Sequence, residues 1–417
     1  MIMIKKKNIF VLLLAAWLAG CAAEPDTIRH EGKGHIPALD SLILKEMEAD
    51  HIPGAVLQVK QGGSVLHRAA YGFAKKYGYD LKPLGQPQAM TTGHLFDLAS
   101  LTKVMATTYG IMLLLDRGRL HLDDPIHHYL PEFEEGEKAR ITIRNLLTHT
   151  AGLAQWIPTY YHGTTPGERY RHLADQPLEW PVGKERHYSD LGFMLLGDII
   201  KRVSNCSLDE FLHEELYRPL GLNRTAFNPL EKGMKPIAAT SHGNPFEKQM
   251  VYDRDFGYRV DVEPESWDGW RTYTLQGEVN DGNAWYTHGG VAGHAGLFST
   301  VGDLQVLVDL LLNRGKLNGK QYISAGVVDR FLVKDRYGNG LGWAMDKQII
   351  AAAGSPPGTF GHTGFTGTSV VAVPRDSLSV ILLTNRQNVG RQKNGYYYDL
   401  ETLRQAIFDT VEQYTAN

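Results

Sequence analysis

The pattern of apolar and polar positions predicts a helix followed by a hairpin near the start of the chain. Apolar residues recur at helical spacing across 39–47, which predicts an amphipathic helix. Two short alternating runs, 55–60 and 64–71, flank a pair of glycines, a pattern typical of two strands joined by a tight turn. The segment 75–92 is rich in Gly, Pro and polar residues, so it is predicted to be a loop.

The pattern becomes helical in the middle of the chain and β-rich again near its end. Residues 100–217 are predominantly helical in pattern, with breaks at prolines and glycines. Residues 223–296 are irregular and rich in aromatic side chains, which indicates either a binding-site wall or a satellite core under a loop. Runs at 368–373 and 378–384 predict a second hairpin, and 399–414 predicts a closing helix.

This order of elements predicts the architecture. Helix and hairpin at one end, hairpin and helix at the other, with helices between them, indicate an α/β (α+β) fold in which both termini contribute strands to one antiparallel sheet. Helices are expected to flank this sheet, with a helical region inserted. We predict one catalytic domain at 37–415, with a sheet part at 37–99 and 290–415 and a helical part at 100–289.

The first residues have the features of an export signal. Three lysines at 5–7 precede a short apolar run at 9–18, which is too short to span a membrane. The sequence Leu18-Ala19-Gly20-Cys21 resembles a bacterial lipobox. That resemblance implies a lipoprotein signal peptide at 1–20, lipidation of Cys21, and a polar tether at 21–36 that leaves the protein anchored to a cell-envelope membrane. In a Gram-negative cell this would be the periplasmic face of the outer membrane. The alternative is an ordinary signal peptide with a stray cysteine.

Composition restricts the class of function. With 417 residues and 43% hydrophobic content, the chain can form a large core. A formal net charge of −3 shows no basic excess, which argues against a nucleic-acid-binding protein. After removal of the signal segment Cys206 is the only thiol besides Cys21, so no internal disulfide is expected, and Cys206 is interpreted as a packing residue.

The strongest candidate chemistry lies at Ser100-Leu101-Thr102-Lys103, just before an apolar helical run. Residues three apart share one face of a helix, so the Ser100 hydroxyl and the Lys103 amine can meet in one pocket. A serine hydroxyl needs a neighbouring base to attack an acyl carbon, and a lysine serves only if its pKa is depressed. The motif alone is weak, since a chain of this length contains roughly one by chance, and a surface lysine is the alternative.

Two further stretches give the motif a context. Ser100-Leu101-Thr102-Lys103, Tyr188-Ser189-Asp190 and His362-Thr363-Gly364 occur in an order and spacing that resemble the three signature elements of penicillin-recognising serine hydrolases. The likeness is to the class C β-lactamase and D-alanyl-D-alanine peptidase branch, and it implies a β-lactamase/DD-peptidase-like fold. Finer likeness to the penicillin-binding protein 4B type is carried by Tyr71-Gly72-Phe73-Ala74-Lys75-Lys76-Tyr77, Ala226-Phe227-Asn228-Pro229-Leu230, Ile237-Ala238-Ala239-Thr240, Gly277-Glu278-Val279-Asn280-Asp281 and Gly289-Gly290-Val291-Ala292-Gly293-His294-Ala295-Gly296-Leu297-Phe298-Ser299.

The resemblance implies a role for each matching residue. Ser100 would be the acylated nucleophile, and Lys103 would share its proton and keep the site cationic. Tyr188, beside Lys103, would lose its phenolic proton more readily than a free tyrosine and act as general base and then acid. The backbone N–H groups of Ser100 and Phe365, next to His362-Thr363-Gly364 on an edge strand, would form the oxyanion hole.

Two residues depart from the family pattern. Asp190 stands where asparagine is usual, so a carboxylate near Lys103 is expected to hold the lysine in its charged form and weaken it as a base. His362 stands where lysine is usual, so a permanent charge becomes a titrating one. If His362 helps to bind a substrate carboxylate, affinity is expected to fall as pH rises through its pKa. Both changes favour slow acyl-enzyme formation over fast β-lactam turnover.

Other chemistries are less well supported by the sequence. No H-E-x-x-H motif occurs, and His127-His128, His288 and His294 have no acidic partner at ligand spacing, so neither a metal site nor a cofactor is expected. The expected partners are peptidoglycan-derived peptides, with β-lactams as further ligands. The predicted function is a serine-type D-alanyl-D-alanine carboxypeptidase. The alternatives are an N-acetylmuramoyl-L-alanine amidase or esterase of the same fold, and a lipoprotein that binds β-lactams or muropeptides without hydrolysis.

Overall fold

The computed structural model describes residues 28–163, 165–345 and 355–416. Their main feature is a seven-stranded antiparallel sheet in the order β1-β3-β2-β12-β11-β10, with β4 paired to β3. A small sheet in the order β5-β7-β6 lies beside it, and β8 pairs with β9. The strands are β1 (Ile28–His30), β2 (Gly54–Gln61), β3 (Ser64–Tyr77), β4 (Pro83–Ala89), β5 (Phe96–Asp97), β6 (Ala226–Phe227), β7 (Leu297–Ser299), β8 (Lys316–Leu317), β9 (Lys320–Gln321), β10 (Phe360–Gly364), β11 (Thr368–Val373) and β12 (Leu378–Thr384).

The helices cover the large sheet and form the inserted region. A π-helical turn at Lys103–Thr107 leads directly into the second α-helix. The α-helices are α1 (Pro37–Glu48), α2 (Thr108–Asp116), α3 (Ile143–Leu147), α4 (Pro166–Asp175), α5 (Asp190–Ser204), α6 (Leu208–Leu212), α7 (Arg218–Leu220), α8 (Pro245–Tyr252), α9 (Val301–Leu312), α10 (Ala325–Phe331) and α11 (Glu401–Ala416).

The two ends of the chain meet in the middle of the sheet. Strand β12 pairs with β2, so that Leu382 lies opposite Leu57 and Ile381 opposite Gln58. Because side chains alternate across a strand, Leu382 enters a core under α1 and α11 while Ile381 enters the larger core shared with the helical region. The sheet is therefore covered on both faces, which explains why β11 and β12 are buried at every position.

The structure confirms the predicted fold class, an antiparallel sheet built from both ends with helices inserted between them. The predicted first helix, both hairpins and the closing helix are present as α1, β2–β3, β11–β12 and α11. Cys206 is half-buried and packs against the larger core. No described helix has the length and hydropathy that membrane crossing requires.

Two predictions made at the N-terminal side are wrong. The predicted tether at 21–36 includes β1, whose Ile28 lies opposite Tyr71 of β3, because an edge strand needs only a free neighbouring strand and not an apolar repeat. The predicted loop at 75–92 contains the end of β3 and all of β4, which pair with two register shifts. The signal segment, Cys21 and the first tether residues lie outside the described part of the chain.

Candidate active site

Ser100 follows a strained turn at the end of β5. Ala99 has φ of +45°, a left-handed conformation that costs energy for any residue with a Cβ. The buried carboxylate of Asp97 holds this turn by accepting hydrogen bonds from the Ala99 N–H at 2.9 Å and the Asn280 N–H at 2.6 Å. Burial raises the pKa of Asp97 to about 6, although both N–H donors oppose the shift. The two hydrogen bonds to Asp97 therefore stabilise the strained turn and fix the position of Ser100 at the start of its helix.

Lys103 lies under Ser100 and is completely buried. Its Nζ donates to Ser100 Oγ at 2.9 Å and to the carbonyl of His294 at 3.1 Å, and it forms an ion pair with Asp190 Oδ1 at 2.6 Å. Burial alone would lower the pKa of Lys103, but the charge of Asp190 and the hydrogen bonds to Asp190 and Tyr188 raise it above its usual value. The amine is thus an ammonium at neutral pH, as predicted from the presence of Asp190 in the second motif.

Tyr188 precedes α5 and completes the group of reactive side chains. The Ser189 hydroxyl caps the helix by accepting from the Gly192 N–H at 3.4 Å, which holds Tyr188 and Asp190 on either side of the helix start. The phenol is hydrogen-bonded to Ser100 and Lys103, and Lys103 Nζ is 5.1 Å from the centre of its ring.

The prediction that Tyr188 loses its proton unusually easily is wrong. Burial raises the pKa of Tyr188, and although Lys103 lowers it, Asp190 raises it again, so that the net shift is upward. The fold brings in a carboxylate that cancels much of the lysine's charge. Tyr188 is therefore a neutral phenol in the resting site.

His149 supports Tyr188, although it belongs to none of the three sequence motifs. Its ring lies 4.4 Å from the Tyr188 ring, and its Nδ1 accepts from the Ser189 N–H at 3.1 Å. Burial lowers the pKa of His149 well below its usual value, so the ring is neutral. His149 lies in the stretch Leu146-Leu147-Thr148-His149-Thr150, at the end of α3.

Strand β10 lies at the edge of the large sheet, against the backbone that leads to Ser100. A Cβ added to Gly364 would lie 2.3 Å from the carbonyl oxygen of Leu98, so the two backbones are in close contact. Thr366 Oγ1 donates to the Asp97 carbonyl at 2.7 Å and Thr368 Oγ1 to the Leu98 carbonyl at 3.1 Å. These contacts hold the β10–β11 turn, and Phe365 within it, beside the nucleophile.

Two backbone N–H groups remain available at this junction. Among the described residues, neither the Ser100 N–H nor the Phe365 N–H donates to a protein acceptor, whereas the Leu101 N–H bonds to the Leu98 carbonyl. The Phe365 side chain is 39% exposed and its carbonyl accepts from Arg386 and Gln387, which fixes the peptide. Thr363 is half-buried between His362 and the close contact at Gly364.

His362 is buried and faces Tyr188, with a ring separation of 6.0 Å. Its Nδ1 lies 2.8 Å from the Thr363 carbonyl, which can only accept, so Nδ1 carries the proton and Nε2 is an acceptor. Burial lowers the pKa of His362 to about 3, assisted by the charges of Lys103 and Arg186. The expectation of a cation that titrates near neutral pH is therefore wrong, because burial, and after it the charge of Lys103, disfavours the protonated ring.

His294, which is buried, and Asp281, which is half-buried, form a further pair beside Lys103. His294 Nε2 is 2.8 Å from Asp281 Oδ1, and that oxygen also accepts from the Ala284 N–H at 2.7 Å. Burial alone would raise the pKa of Asp281, but His294 lowers it to about 2, so the group is a carboxylate. His294 has no acidic partner at ligand spacing in the sequence, but the fold brings Asp281 to it from a loop 13 residues earlier. The pair fixes the carbonyl that accepts from Lys103.

The fold thus brings most of the predicted site residues together. Ser100, Lys103, Tyr188 and Asp190 are in direct contact, and His362 lies on the adjacent strand. A hydroxyl, a charged amine, a phenol and two free N–H groups are what acyl transfer to a serine requires. Cys21 lies outside the described residues.

Comparison with known proteins agrees with this chemistry. Residues 39–404 match the family model described as Beta-lactamase. A protein from Escherichia coli K12, named as a candidate D-alanyl-D-alanine carboxypeptidase, is 35% identical over 398 residues, which is 89% of this chain and 88% of that protein. A Bacillus subtilis protein named N-acetylmuramyl-L-alanine amidase is 33% identical over 400 residues, covering 89% of this chain and 87% of its own.

Solved structures share the fold at lower identity. An octameric penicillin-binding protein homologue from Pyrococcus abyssi superposes with a TM-score of 0.65 and 20% identity, covering 90% of this chain and 77% of that chain. A class C β-lactamase from Rhodobacter sphaeroides gives a TM-score of 0.62 with 19% identity, covering 91% of this chain and 100% of that one.

Proposed function

This chain belongs to the β-lactamase family and is a serine hydrolase of the β-lactamase and penicillin-binding type, and on that premise we propose that it cleaves peptidoglycan peptides as a D-alanyl-D-alanine carboxypeptidase. The observation that carries the proposal is the contact of Ser100 Oγ with both Lys103 Nζ, at 2.9 Å, and the Tyr188 phenol. A hydroxyl between a cation and a phenol can be acylated, and the acyl-enzyme is then hydrolysed by water.

The protonation states support a relay through Tyr188. Lys103 is charged and Tyr188 is protonated, so neither group is a free base before substrate binds. As Ser100 Oγ bonds to the acyl carbon, its proton passes to the Tyr188 oxygen while the Tyr188 proton passes to the leaving amine. The amine departs with that proton, and the ester at Ser100 remains. Lys103 stabilises the negative charge that develops between the two oxygens. Water reverses the relay in deacylation.

The carbonyl oxygen of the substrate would be held by the free N–H groups of Ser100 and Phe365. Each preorganised donor of this kind is commonly worth about 3 kcal/mol in the transition state. The threonine contacts from Thr366 and Thr368 to the backbone before Ser100 keep the two donors in a fixed relation. A carboxypeptidase must also hold a terminal carboxylate. Arg186 supplies a positive charge close enough to lower the pKa of His362, and a guanidinium matches carboxylate geometry.

The second candidate is an amidase that cleaves between N-acetylmuramic acid and L-alanine. It is favoured by the neutral state of His362, whose free nitrogen accepts a hydrogen bond and therefore suits a substrate N–H better than a carboxylate. A relative in Bacillus subtilis carries the amidase name.

One digestion separates these functions. Purified peptidoglycan fragments are incubated with the wild-type protein and with Ser100→Ala, and the products are identified by mass. Release of free D-alanine, absent with Ser100→Ala, is the expected result. Release of the intact peptide from the sugar supports the amidase instead. No product from any fragment, together with stable labelling of Ser100 by a β-lactam, points to a non-hydrolysing binder, and hydrolysis of small esters alone points to an esterase.

We also propose that the protein is an exported lipoprotein anchored through Cys21. The support is the Leu18-Ala19-Gly20-Cys21 sequence after a basic and an apolar segment. Cells expressing wild type or Cys21→Ser are fed a labelled fatty acid and then fractionated. We expect label and membrane association only with Cys21; equal membrane association of both proteins would contradict the proposal.

A further inference from the structure

A group of histidines surrounds one carboxylate on the face of the sheet opposite the active site. Asp40 lies in α1 and is buried, His67 and Tyr71 lie in β3 and are fully buried, and His30 ends β1. His35 lies in the connection between β1 and α1. We refer to His30, His35, Asp40 and His67 as the histidine cluster. Nothing in acyl transfer at Ser100 uses it.

Two imidazoles converge on a single oxygen of Asp40. His30 Nε2 lies 3.2 Å and His35 Nε2 2.6 Å from Asp40 Oδ2, and the two rings are 4.2 Å apart. Ligand atoms at about 2.0–2.1 Å from a tetrahedral Zn²⁺ lie roughly 3.4 Å from one another. The separation of His30 and Asp40 matches that spacing. His35 is about 0.8 Å closer to Asp40 than that spacing, at hydrogen-bond distance, so its exposed ring must move outward to admit an ion. Both imidazole side chains are partly exposed, at 34% and 44%, so an ion can enter from solvent.

The other oxygen of Asp40 is held by buried groups. The Tyr71 hydroxyl donates to Asp40 Oδ1 at 2.7 Å, and His67 Nε2 lies 2.7 Å from the Tyr71 oxygen. His67 Nδ1 accepts from the Ile36 N–H at 3.2 Å, so its proton is on Nε2, which donates to Tyr71. Burial lowers the pKa of His67 to about 4, which keeps the ring neutral.

The hydrogen bonds of the cluster show which residues can bind an ion and which ones only orient Asp40. The candidate ligand atoms of His30, Asp40 and His67 all lie within 4.8 Å of one another. However, His67 cannot bind an ion through Nε2 without losing either its proton donation to Tyr71 or its bond to Ile36. His67 and Tyr71 are therefore the residues that orient Asp40, as outer hydrogen bonds commonly do for carboxylate ligands. His30, His35 and Asp40 have the accessible atoms.

We propose that His30, His35 and Asp40 form a divalent transition-metal site, with Zn²⁺ as the ion that the donor set fits best. Two imidazole nitrogens and one carboxylate oxygen suit zinc, whereas Ca²⁺ and Mg²⁺ favour sites made of oxygen ligands. Water supplies the fourth position. The ion ties the end of β1 to the start of α1, so its role is structural: it fastens the first strand of the sheet.

The site is tested by titrating Zn²⁺ into the full-length protein, prepared without a polyhistidine tag and stripped with a chelator. Calorimetry is expected to show one tightly bound ion per chain, and the thermal midpoint is expected to rise when zinc is added. Both His30→Gln and His35→Gln are expected to weaken binding at least tenfold. These side chains are partly exposed, so both variants should fold. Circular dichroism of the zinc-free proteins checks that they do.

Two further variants make the assignment specific. Tyr71→Phe removes only the hydroxyl that orients Asp40 and is expected to weaken zinc binding about tenfold. The double variant His127→Gln and His128→Gln removes an adjacent pair of rings, 4.9 Å apart, for which no ion pair with a described carboxylate exists, and binding should be unchanged. No stoichiometric binding, or equal binding by wild type, His30→Gln and His35→Gln, would overturn the proposal and leave a purely hydrogen-bonded cluster.

Discussion

At the scale of single residues, the ion pair between Lys103 and Asp190 determines the charge of the site. Lys103 is fully buried, and its charge is retained because a carboxylate lies 2.6 Å away. A buried cation without such a partner either loses its proton or destabilises the fold. Asp190 thus makes the lysine a fixed cation and leaves proton transfer to Tyr188.

The change Asp190→Asn tests this division of roles. It removes the carboxylate whose charge and hydrogen bond raise the pKa of Lys103, so the lysine should become neutral at lower pH. If its positive charge is needed, the alkaline limb of the kcat/KM profile for peptide hydrolysis should move down by about one to three pH units. At pH values where Lys103 stays charged, the variant has an unpaired buried cation and should lose roughly 3–5 kcal/mol of unfolding free energy. Urea titration measures this loss.

The matched control is Asp309→Asn, which breaks the partly buried Lys60–Asp309 pair outside the site. Its kcat/KM profile should follow that of wild type. An Asp190→Asn enzyme whose activity instead rises at neutral pH would show that the neutral lysine is the base and would contradict the relay through Tyr188.

His362 makes a second prediction at this scale. Its pKa, lowered to about 3 by burial and the charges of Lys103 and Arg186, keeps it neutral over the physiological range. KM for the peptide substrate should therefore be constant between about pH 5 and 8, where an ordinary histidine changes charge. A KM that increases several-fold across that range would mean that His362 binds as a cation. Arg186→Gln should raise KM at every pH if the substrate carries a terminal carboxylate.

At the scale of elements, the contact of β10 with the segment before Ser100 sets the oxyanion hole. Gly364 is adjacent to the Leu98 carbonyl, and Thr366 and Thr368 bond to the same short segment. On its outer side β10 pairs with Ala344 at Gly361, and among the described strands none pairs with it beyond that point. A substrate can therefore lie along the end of β10 near Gly364, with its carbonyl at the Ser100 and Phe365 N–H groups.

Gly364→Ala should separate these elements. The new Cβ would lie 2.2 Å from Thr368 Oγ1 and 2.3 Å from the Leu98 carbonyl oxygen, so β10 must shift. A displacement near 1 Å is expected to reduce kcat/KM about a hundredfold, and overpacking to cost about 1–3 kcal/mol of stability. Gly85→Ala in β4, where no atom lies within 4 Å of the new Cβ, is the control and should keep full activity. Equal activity of the two variants would contradict this account of the oxyanion hole.

At the scale of the whole molecule, the buried carboxyl group of Glu247 makes the unfolding free energy depend on pH. Glu247 is buried, accepts from the Tyr160 hydroxyl at 3.0 Å and from the Gly282 N–H at 2.8 Å, and has no cation in contact among the described residues. Burial and the charge of Asp281 raise its pKa to about 8. The folded protein therefore binds a proton that the unfolded chain, with a glutamate pKa near 4.3, has already released.

Because the folded-state pKa is raised, this contribution to stability is complete below about pH 4 and is lost as pH rises towards about 8. As pH rises, the unfolding free energy of wild type should thus fall relative to that of Glu247→Gln, by up to about 1.4 kcal/mol per pH unit. Urea unfolding from pH 5 to 8 measures the difference. The exposed Glu135→Gln should show no such trend relative to wild type, and a constant difference for Glu247→Gln would refute the assignment.

Predictability from sequence differed between kinds of residue. The motifs predict that Lys103 and Asp190 lie close together. Each residue lies at the start of a helix, and the sequence pattern indicates where both helices begin. Tyr188 and His362 lie beside them in the structure, but the protonation behaviour predicted for both is wrong, because a pKa depends on burial and on every neighbouring charge. His149 and Asp281 were missed as partners because each acts through contacts made only after distant loops come together.

Local sequence patterns are enough to predict the fold class, the order of elements and the residues that carry reactive groups. Periodicity and turn residues are local properties, and the two hairpins and the closing helix follow from them. Tertiary structure alone decided the pairing of β1 and β4 with β3, the charge states of Tyr188 and His362, and the meeting of three histidines at Asp40. Each of these depends on distances between segments far apart in the chain, and burial and Coulomb interactions act through distance in space.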